Sequence, residues 1–183
     1  DEKMGKRWIG LLLSAVLVTG LAAGCGSSTG SNSKEIKIGA NFELTGGVAN
    51  FGKQTVNGIM LAFKEVNEAG GVNGKKLVLV QADNKSEPSE AANAVTKLIT
   101  QDKVSAVLGP VTSSDVLATL QIGQDNKVPI ITPTGTNPNI TVDNGQVRPY
   151  AFRGCFIDPF QGQVMANFAA KTLKAKTAVI YID

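Results

Sequence analysis

The chain has no histidine among its 183 residues and only two cysteines. The absence of histidine excludes a Ser-His-Asp triad, a Cys-His pair and histidine-ligated zinc. Two cysteines are too few for a disulfide framework or a four-cysteine metal site. Aromatic residues are also scarce, at 5% of the chain. The sequence therefore predicts neither a metal nor a cofactor, and it favours a core of small aliphatic side chains.

The chain also lacks a strong excess of charge of either sign. Its net charge is +3, with 18% charged and 43% hydrophobic residues, which is typical of a globular rather than a disordered chain. Nucleic-acid binding requires a dense basic face, which this balance does not supply. We therefore expect no nucleic-acid partner, and the length is that of one domain with a tail.

The first apolar run of the chain is too short to span a membrane. Residues 9–23 form fifteen uncharged, mostly apolar positions, whereas a membrane-spanning helix needs about 20. A short basic segment precedes the run, and Leu21-Ala22-Ala23-Gly24-Cys25 ends it. This ending resembles a bacterial lipobox, with Ala22 where leucine is usual. We predict a lipoprotein signal peptide over 1–24 and lipid on Cys25; an ordinary secretion signal is the alternative.

A polar segment of small residues follows the leader. Residues 25–34 consist of Cys, Gly, Ser, Thr and Asn up to a final lysine, without hydrophobic periodicity. This composition is typical of a flexible tether. Beside a lipid anchor, such a tether would let a folded domain work just off the outer surface of a membrane.

From residue 35 onwards, apolar runs of strand type alternate with apolar faces of helical spacing. Repeated βα units give parallel strands with right-handed crossovers, which predicts an α/β fold with a doubly wound parallel sheet. The predicted strands are 36–40, 77–80, 106–108, 128–131, 150–153 and 178–182. The predicted helices lie around 56–66, 86–99, 116–120 and 160–173, the last with Val164, Met165 and Phe168 pointing inward.

The last predicted strand reaches the final residues of the chain. A doubly wound fold would normally continue into a helix at this point. We therefore expect residues 35–183 to be a fragment of a longer fold whose second half is missing.

The fold predicts where a ligand would bind before any family is considered. In open α/β sheets, ligands lie beyond the carboxyl ends of the strands. Three such loops, 43–47, 109–115 and 132–138, follow predicted strands, and the last two are rich in hydroxyl groups. The segment from Thr112 to Asp115 also begins a helix, where free N–H groups suit a carboxylate or a phosphate. The alternative is that Ser113 or Ser114 merely caps the helix.

Two features imitate enzymes. Residues 47–54 nearly form a P-loop, but the position after Lys53 is Gln54, whereas a hydroxyl is needed there to hold Mg²⁺. Asp183 after its apolar run imitates the partner of such a site. Cys155 is a lone thiol without a histidine partner, which is more typical of a small buried side chain than of a nucleophile. A P-loop nucleotide-binding enzyme stays a remote alternative.

Residues 35–183 resemble the branched-chain amino-acid type of ABC-importer substrate-binding protein, which has the type I periplasmic-binding fold. The resemblance is carried by an ordered series of short motifs. They are Ile38-Gly39, Leu44-Thr45-Gly46, Phe51-Gly52, the segment 65–75, the segment 108–114, the segment 131–136, Phe152-Arg153, Asp158 and Gln161-Gly162. Members of this family have two similar lobes that close on the ligand like a hinge, so the resemblance places this chain as the leader and the N-terminal lobe.

The resemblance implies a set of contacts for an amino acid. Ser113 and Thr136 would donate to the ligand carboxylate. The carbonyl of Thr134 would accept from the ammonium group, and Gly135 would give the backbone room to approach. The acidic residue that completes ammonium binding would belong to the missing lobe.

Three further positions carry over. Val111 and Thr112 would line the same wall of the cleft. Phe51 stands where the family often has tyrosine, which implies a more apolar side-chain pocket. Some relatives have cysteines at the positions of Ser86 and Thr112, so that disulfide is absent here.

The sequence thus predicts an extracytoplasmic, lipid-anchored receptor that is not an enzyme. Its partners would be an amino acid and the transmembrane subunits of an ABC permease. A receptor for another small solute, such as an amide, a urea or an aromatic acid, is the first alternative. A ligand-sensing domain fused to a signalling module is a further one.

Overall fold

The computed structural model describes residues 34–181, in which strands and helices alternate. The first part of the alternation is β1 (Glu35–Phe42), α1 (Ala49–Glu68), β2 (Lys76–Asp83), α2 (Pro88–Thr100), β3 (Ala106–Leu108), α3 (Ser113–Asn126) and β4 (Ile130–Thr132). A 3₁₀ turn (Pro138–Ile140) and a small hairpin of β5 (Val142–Asp143) and β6 (Gln146–Val147) follow. The chain then forms β7 (Ala151–Arg153), α4 (Asp158–Asn167) and a π-helical turn (Phe168–Thr172).

The main sheet has five strands in the order β2-β1-β3-β4-β7, and every neighbouring pair is parallel. Ile38 of β1 lies between Leu79 of β2 and Ala106 of β3. The chain winds in one direction from β1 to β2 and in the other from β3 onwards, so the strand order reverses between β1 and β3. The prediction of a doubly wound parallel α/β sheet is confirmed, and this reversal marks the crevice in which such sheets bind ligands.

Helices cover both faces of the sheet. On one face, α2 and α3 contribute Leu98 and Val116 to a core that includes Val107 and Ile130. On the other face, α1 packs Val56 against a smaller cluster of Ala40, Phe42 and Val111. Burying one such aliphatic side chain stabilises a fold by about 1.5–3 kcal/mol. The two cores hold the carboxyl ends of β1, β3 and β4 at one edge of the sheet.

Two predicted features at the end of the chain differ in the structure. Residues 178–181 form no strand and are exposed, while Ile182, the last residue of that predicted strand, lies outside the described part. The predicted helix over 160–173 begins at Asp158 and is α-helical only to Asn167. The prediction that its apolar side chains point inward was wrong, because Val164, Met165 and Phe168 are all exposed.

The physical reason is the lack of a covering element. Within residues 34–181, α4 chiefly contacts the π-helical turn that follows it, and none of its residues is buried. Helical spacing identifies an apolar face, but it cannot tell whether another element packs on that face. No helix within the described part is long and apolar enough to cross a membrane. The predicted signal peptide, most of the tether and Cys25 lie outside the described residues.

Candidate functional site

Three loops converge at the carboxyl edge of the sheet. They follow β1, β3 and β4, and side-chain hydrogen bonds join them. Thr134 donates through its hydroxyl to the carbonyl of Val111 at 2.8 Å, and Thr132 donates to the carbonyl of Pro110 at 2.8 Å. The loops after β3 and β4 therefore form one connected wall.

The start of α3 has its own cap. Thr112 is the N-cap residue, and its hydroxyl accepts from the N–H of Asp115 at 3.4 Å. The alternative in which Ser113 or Ser114 caps the helix is therefore wrong, since Thr112 fills that role. Ser113 instead accepts through its hydroxyl from the N–H of Asn137, at 3.3 Å, across to the loop after β4.

Unused hydrogen-bonding groups collect beside this contact. No acceptor within the described part of the chain takes the backbone N–H of Ser113 or Ser114, and Ser113 keeps its own O–H free to donate. Half-buried Thr136 follows on the facing loop, where its carbonyl accepts from the N–H of Asp158 at 3.2 Å. The hydroxyl of Thr136 and the carbonyl of Thr134 have no hydrogen-bond partner within residues 34–181. The arrangement offers donors at a helix N-terminus, which suits a carboxylate.

Gly135 is required by packing inside the lobe. A Cβ on this residue would lie 2.7 Å from Ile140 and 2.9 Å from Thr132 side-chain atoms. Its N–H donates to the hydroxyl of Thr132 at 2.9 Å. The resemblance implies that Gly135 gives a ligand room to approach. Packing gives a second reason for glycine at this position, because a larger residue would push the loop off the sheet.

Arg153 of β7 holds the far end of the same loop. Its guanidinium donates to the carbonyls of Gly135 at 2.7 Å and Asn137 at 2.9 Å. It also donates to the carbonyl of Pro138 at 3.3 Å and to the hydroxyl of Thr141 at 3.1 Å. A rigid, planar donor fork suits this task, because one side chain satisfies several acceptors at once. From the sequence, Arg153 is named only as part of the motif Phe152-Arg153, and no anchoring role is predicted for it.

Glu43 was missed as a site residue, although it begins the loop after β1. Its side chain is 0% exposed. The carboxylate accepts from the N–H of Val111 at 3.0 Å and from the N–H of Thr112 at 3.0 Å. Gly52 allows the close approach of α1, because a Cβ there would collide with the carbonyl of Glu43. A signal was available, since an acidic residue directly after a buried strand at the sheet's point of reversal faces the crevice.

A second buried carboxyl group lies against Glu43. Asp115 of α3 is 1% exposed, and its Oδ2 atom has no hydrogen-bond partner within residues 34–181. Burial and the adjacent carboxyl group of Glu43 together raise the pKa of Asp115 from 3.8 to about 6. The hydroxyls of Thr112 and Ser114 oppose this rise only in part.

The raised pKa of Asp115 predicts a pH dependence of stability. The native state binds more protons than the unfolded state between pH 3.8 and about 6, so this group's contribution to the free energy of unfolding falls as pH rises through that window. We expect the advantage of wild type over Asp115→Asn to shrink by up to about 3 kcal/mol between pH 4 and 7. Urea unfolding at several pH values measures it. Asp125→Asn on the same helix is the control, and parallel wild-type and Asp115→Asn curves would contradict the assignment.

Asp83 fixes the beginning of the first loop. Its carboxylate accepts from the N–H groups of Leu44, Thr45 and Lys85 and from the hydroxyl of Thr45, at 2.7–3.1 Å. Burial acts to raise the pKa of Asp83, but these hydrogen bonds outweigh it and hold the pKa below its usual value. The loop that carries Glu43 is therefore held by Asp83 of β2 and by the N–H of Val111 after β3.

The remaining predicted residues occupy different positions. Val111 is buried in the α1-side core and meets the crevice through its backbone, whereas Phe51 is 63% exposed in the first turn of α1. An apolar cavity of about 260 Å³ opens nearby at the sheet edge. Its lining consists of Phe42, Thr55, Ile59, Leu108, Ile131, Thr132, Pro133 and Gly154, without Phe51.

Residues 47–54 and Cys155 have ordinary structural roles, whereas Asp183 lies outside the described residues. Residues 47–54 form a turn and the first part of α1. Cys155 is half-buried, and its thiol lies 3.6 Å from the carbonyl of Gly135. Within residues 34–181, no three His, Cys, Asp or Glu side chains gather to hold a metal ion.

The proteins that are similar to this chain in sequence are binding proteins. A profile of the periplasmic binding protein family matches residues 35–183. An amino acid binding protein of Pseudomonas aeruginosa is 36% identical over 149 residues, which cover 81% of this chain and 39% of that protein. The Leu/Ile/Val-binding protein BraC3 of Rhizobium johnstonii is also 36% identical, with 81% of this chain and 40% of that protein covered.

Solved structures agree with this. The branched-chain amino acid transporter substrate binding protein LivJ of Streptococcus pneumoniae, in complex with isoleucine, superimposes with a TM-score of 0.71 at 43% identity, covering 76% of this chain and 39% of that one. A Rhodopseudomonas palustris solute binding protein in complex with 3,4-dihydroxy benzoic acid gives 0.68 at 28% identity, covering 76% and 37%. The chain spans about 40% of the length of the curated relatives it matches.

Proposed function

Because the chain belongs to the periplasmic binding protein family, we propose that it forms one lobe of an extracytoplasmic receptor for a branched-chain or related amino acid, which the receptor delivers to an ABC importer. The family is one of binding proteins rather than enzymes. In the complete receptor, a second lobe would close over the ligand by a hinge motion.

The observation that carries this proposal is the set of unused donors at the start of α3. The N–H groups of Ser113 and Ser114 and the hydroxyl of Ser113 are free to donate, and Thr136 lies on the loop that Ser113 contacts through Asn137. A ligand carboxylate would accept from these groups. The unpartnered carbonyl of Thr134 would accept from the ammonium group. Val111 and Thr112 form the wall behind them, and Gly135 keeps that wall close to the sheet.

The side-chain end of the ligand would lie toward the apolar part of the crevice. Phe51 projects from the first turn of α1 and is largely exposed in this lobe, as expected for a residue that a ligand and a second lobe would cover. Phenylalanine lacks a hydroxyl group, so it favours an aliphatic ligand side chain over a polar one.

A second candidate function has its own support. The relative from Rhodopseudomonas palustris is in complex with an aromatic acid. Isoleucine and that aromatic acid share a carboxylate, so the donors at α3 fit either compound. Titration of the complete receptor with leucine, isoleucine, valine and benzoate-type acids separates the two functions, because only an amino acid brings an ammonium group to Thr134.

Removing one donor of the carboxylate site should weaken binding without unfolding the lobe. A hydrogen bond to a charged group contributes about 1.5–3 kcal/mol, so Ser113→Ala and Thr136→Ala should each lower leucine affinity by about tenfold to a hundredfold. Calorimetry measures the affinity and thermal melting checks stability. Thr96→Ala in α2 is a matched control, because its hydroxyl only donates to the carbonyl of Ala92 at 2.8 Å. Unchanged affinity in both site variants would contradict the assignment.

We also propose that Cys25 is the lipid-bearing N-terminus of the mature receptor. Its sequence context, an apolar run that ends at small residues, is the support. Two or three acyl chains at about 0.8 kcal/mol per buried CH₂ would hold the receptor firmly on the membrane, near its permease. Cell fractionation should find wild type in the membrane and Cys25→Ala released. Cys155→Ala is the control, and an unchanged distribution of Cys25→Ala would disprove the anchor.

A further inference from the structure

Glu43 and Asp115 form a buried pair of carboxyl groups without a cation. Both side chains are almost fully buried at the start of α3, where Glu43 accepts from the N–H of Thr112 and the hydroxyl of Thr112 accepts from the N–H of Asp115. No lysine or arginine within residues 34–181 forms an ion pair with either of them. Two buried carboxylates side by side are unfavourable, and such pairs commonly share one proton.

The hydrogen bonds of the two carboxyl groups differ. Glu43 accepts from two backbone N–H groups. Asp115 accepts from the hydroxyl of Ser114 at 3.4 Å through Oδ1, whereas its Oδ2 atom is buried and without a partner. A proton on Oδ2 would turn this unsatisfied acceptor into a donor toward Glu43.

Other charged groups near the crevice are engaged elsewhere. Asp83 binds the N–H groups of the loop after β1, and Lys85 pairs with Glu90. Lys53 is exposed on α1, and Arg153 is bound to the loop after β4. The loops after β3 and β4 contribute no charged side chain from 109 to 114 or from 133 to 141. The charge of Glu43 alone therefore acts on Asp115.

The pair lies directly behind the carboxylate site. Glu43 takes the N–H groups of Val111 and Thr112, and the next two along the chain, those of Ser113 and Ser114, are the free donors. A ligand carboxylate at those donors would be a third negative charge at the same helix start. Repulsion between like charges is strong where water is excluded.

We propose that capture of a carboxylate ligand is coupled to the uptake of one proton, which Oδ2 of Asp115 receives from solvent and donates in a hydrogen bond to Glu43. This inference rests on the proposed function, because it requires a ligand carboxylate at Ser113 and Ser114. It adds that the receptor binds its ligand and a proton together.

The direction of the effect follows from the charges. The ligand anion favours the protonated pair, so binding raises the pKa of Asp115 above its already raised value near 6. Affinity should therefore increase as pH falls through this range and level off below it. A rise of one pKa unit corresponds to about a tenfold change in affinity. An amino acid keeps its carboxylate and ammonium charges between about pH 5 and 7, so the change comes from the protein.

Calorimetry of the complete receptor with leucine tests the coupling. Titrations at pH 6 in buffers of different ionisation enthalpy give the number of protons taken up. We expect about half a proton per leucine for wild type and for Asp125→Asn, and none for Asp115→Asn, which cannot titrate. Leucine affinity of wild type should fall about threefold to tenfold from pH 5 to pH 7.

The outcomes separate the two proposals. Tight leucine binding by wild type with no proton uptake would overturn the coupling and leave the proposed function intact. Equal proton uptake by wild type and a folded Asp115→Asn would also overturn it, because another group would then be responsible. Failure of every amino acid to bind at any pH would contradict the proposed function itself. If Asp115→Asn does not fold, absence of proton uptake by wild type still overturns the coupling, and Asp115→Ser takes its place in the comparison.

Discussion

Residues 35–183, produced alone, should bind leucine at least about a hundredfold more weakly than the complete two-lobed receptor. At the proposed site, one lobe would offer Ser113 and Thr136 to the carboxylate, but the aliphatic side chain would stay in water. Burying that side chain contributes about 1.5–3 kcal/mol, and a charged partner for the ammonium group contributes a similar amount. Losing both corresponds to roughly a hundredfold to ten-thousandfold in affinity.

The isolated lobe should also associate with itself. Exposed apolar side chains collect after β7, on α4 and in the last described residues, where Val179, Ile180 and Tyr181 are almost fully exposed. Exposed apolar patches of this kind drive association. Light scattering and calorimetry on the lobe and the complete receptor measure both effects. Tight binding of leucine by a monomeric lobe would show that the second lobe contributes little.

Replacing Arg153 should reduce ligand affinity by more than about a hundredfold, because it removes the anchor of the loop that carries Thr134 and Thr136. The guanidinium satisfies the carbonyls of Gly135 and Asn137, among others. Each hydrogen bond from a charged donor is worth about 1.5–3 kcal/mol, and the vacated acceptors would lose their partner. Leucine titrations of Arg153→Ala in the complete receptor, below the melting temperature, measure the loss.

Arg148→Ala is the matched control. Arg148 lies in the same connection between β4 and β7, but its guanidinium pairs with exposed Asp143 at 2.8 Å and makes only one long hydrogen bond, of 3.4 Å, to the carbonyl of Asn139. Exposed ion pairs contribute about 0–1 kcal/mol, so this variant should bind leucine almost as wild type does. Arg153→Lys should recover only part of the affinity, since an ammonium group cannot reproduce the fork. Equal affinities of Arg153→Ala and Arg148→Ala would contradict the anchoring role.

Local patterns in the sequence were sufficient to predict the order of most strands and helices. The continuous apolar run 77–80 and the face formed by Val95 and Leu98 are local signals, and both lie where the periodicity places them. The run 178–182 carries the same kind of signal but forms no strand over 178–181, because a strand also needs a neighbour to pair with. Local periodicity cannot supply that neighbour.

The candidate site could also be predicted from the sequence only in part. Hydroxyl-rich loops after strands were visible in the sequence, and the structure brings Ser113 and the loop of Thr136 together. Glu43 was not recognised, because an acidic residue between a strand and a loop is usually exposed. Its burial depends on N–H groups 68 and 69 positions further along the chain, which only the folded sheet places beside it.

The central claim is that the start of α3 reads the carboxylate of an amino acid, and a cycle of two proteins and two ligands tests it most directly. Leucine and its amide are titrated against the complete receptor, as wild type and as Ser113→Ala. Amidation removes the ligand charge, so it should weaken binding more in wild type than in Ser113→Ala, where part of that contact is already lost. We expect the two losses to differ by about tenfold. Equal losses on amidation in the two proteins would mean that Ser113 does not contact the carboxylate, and the assignment of the site would be wrong.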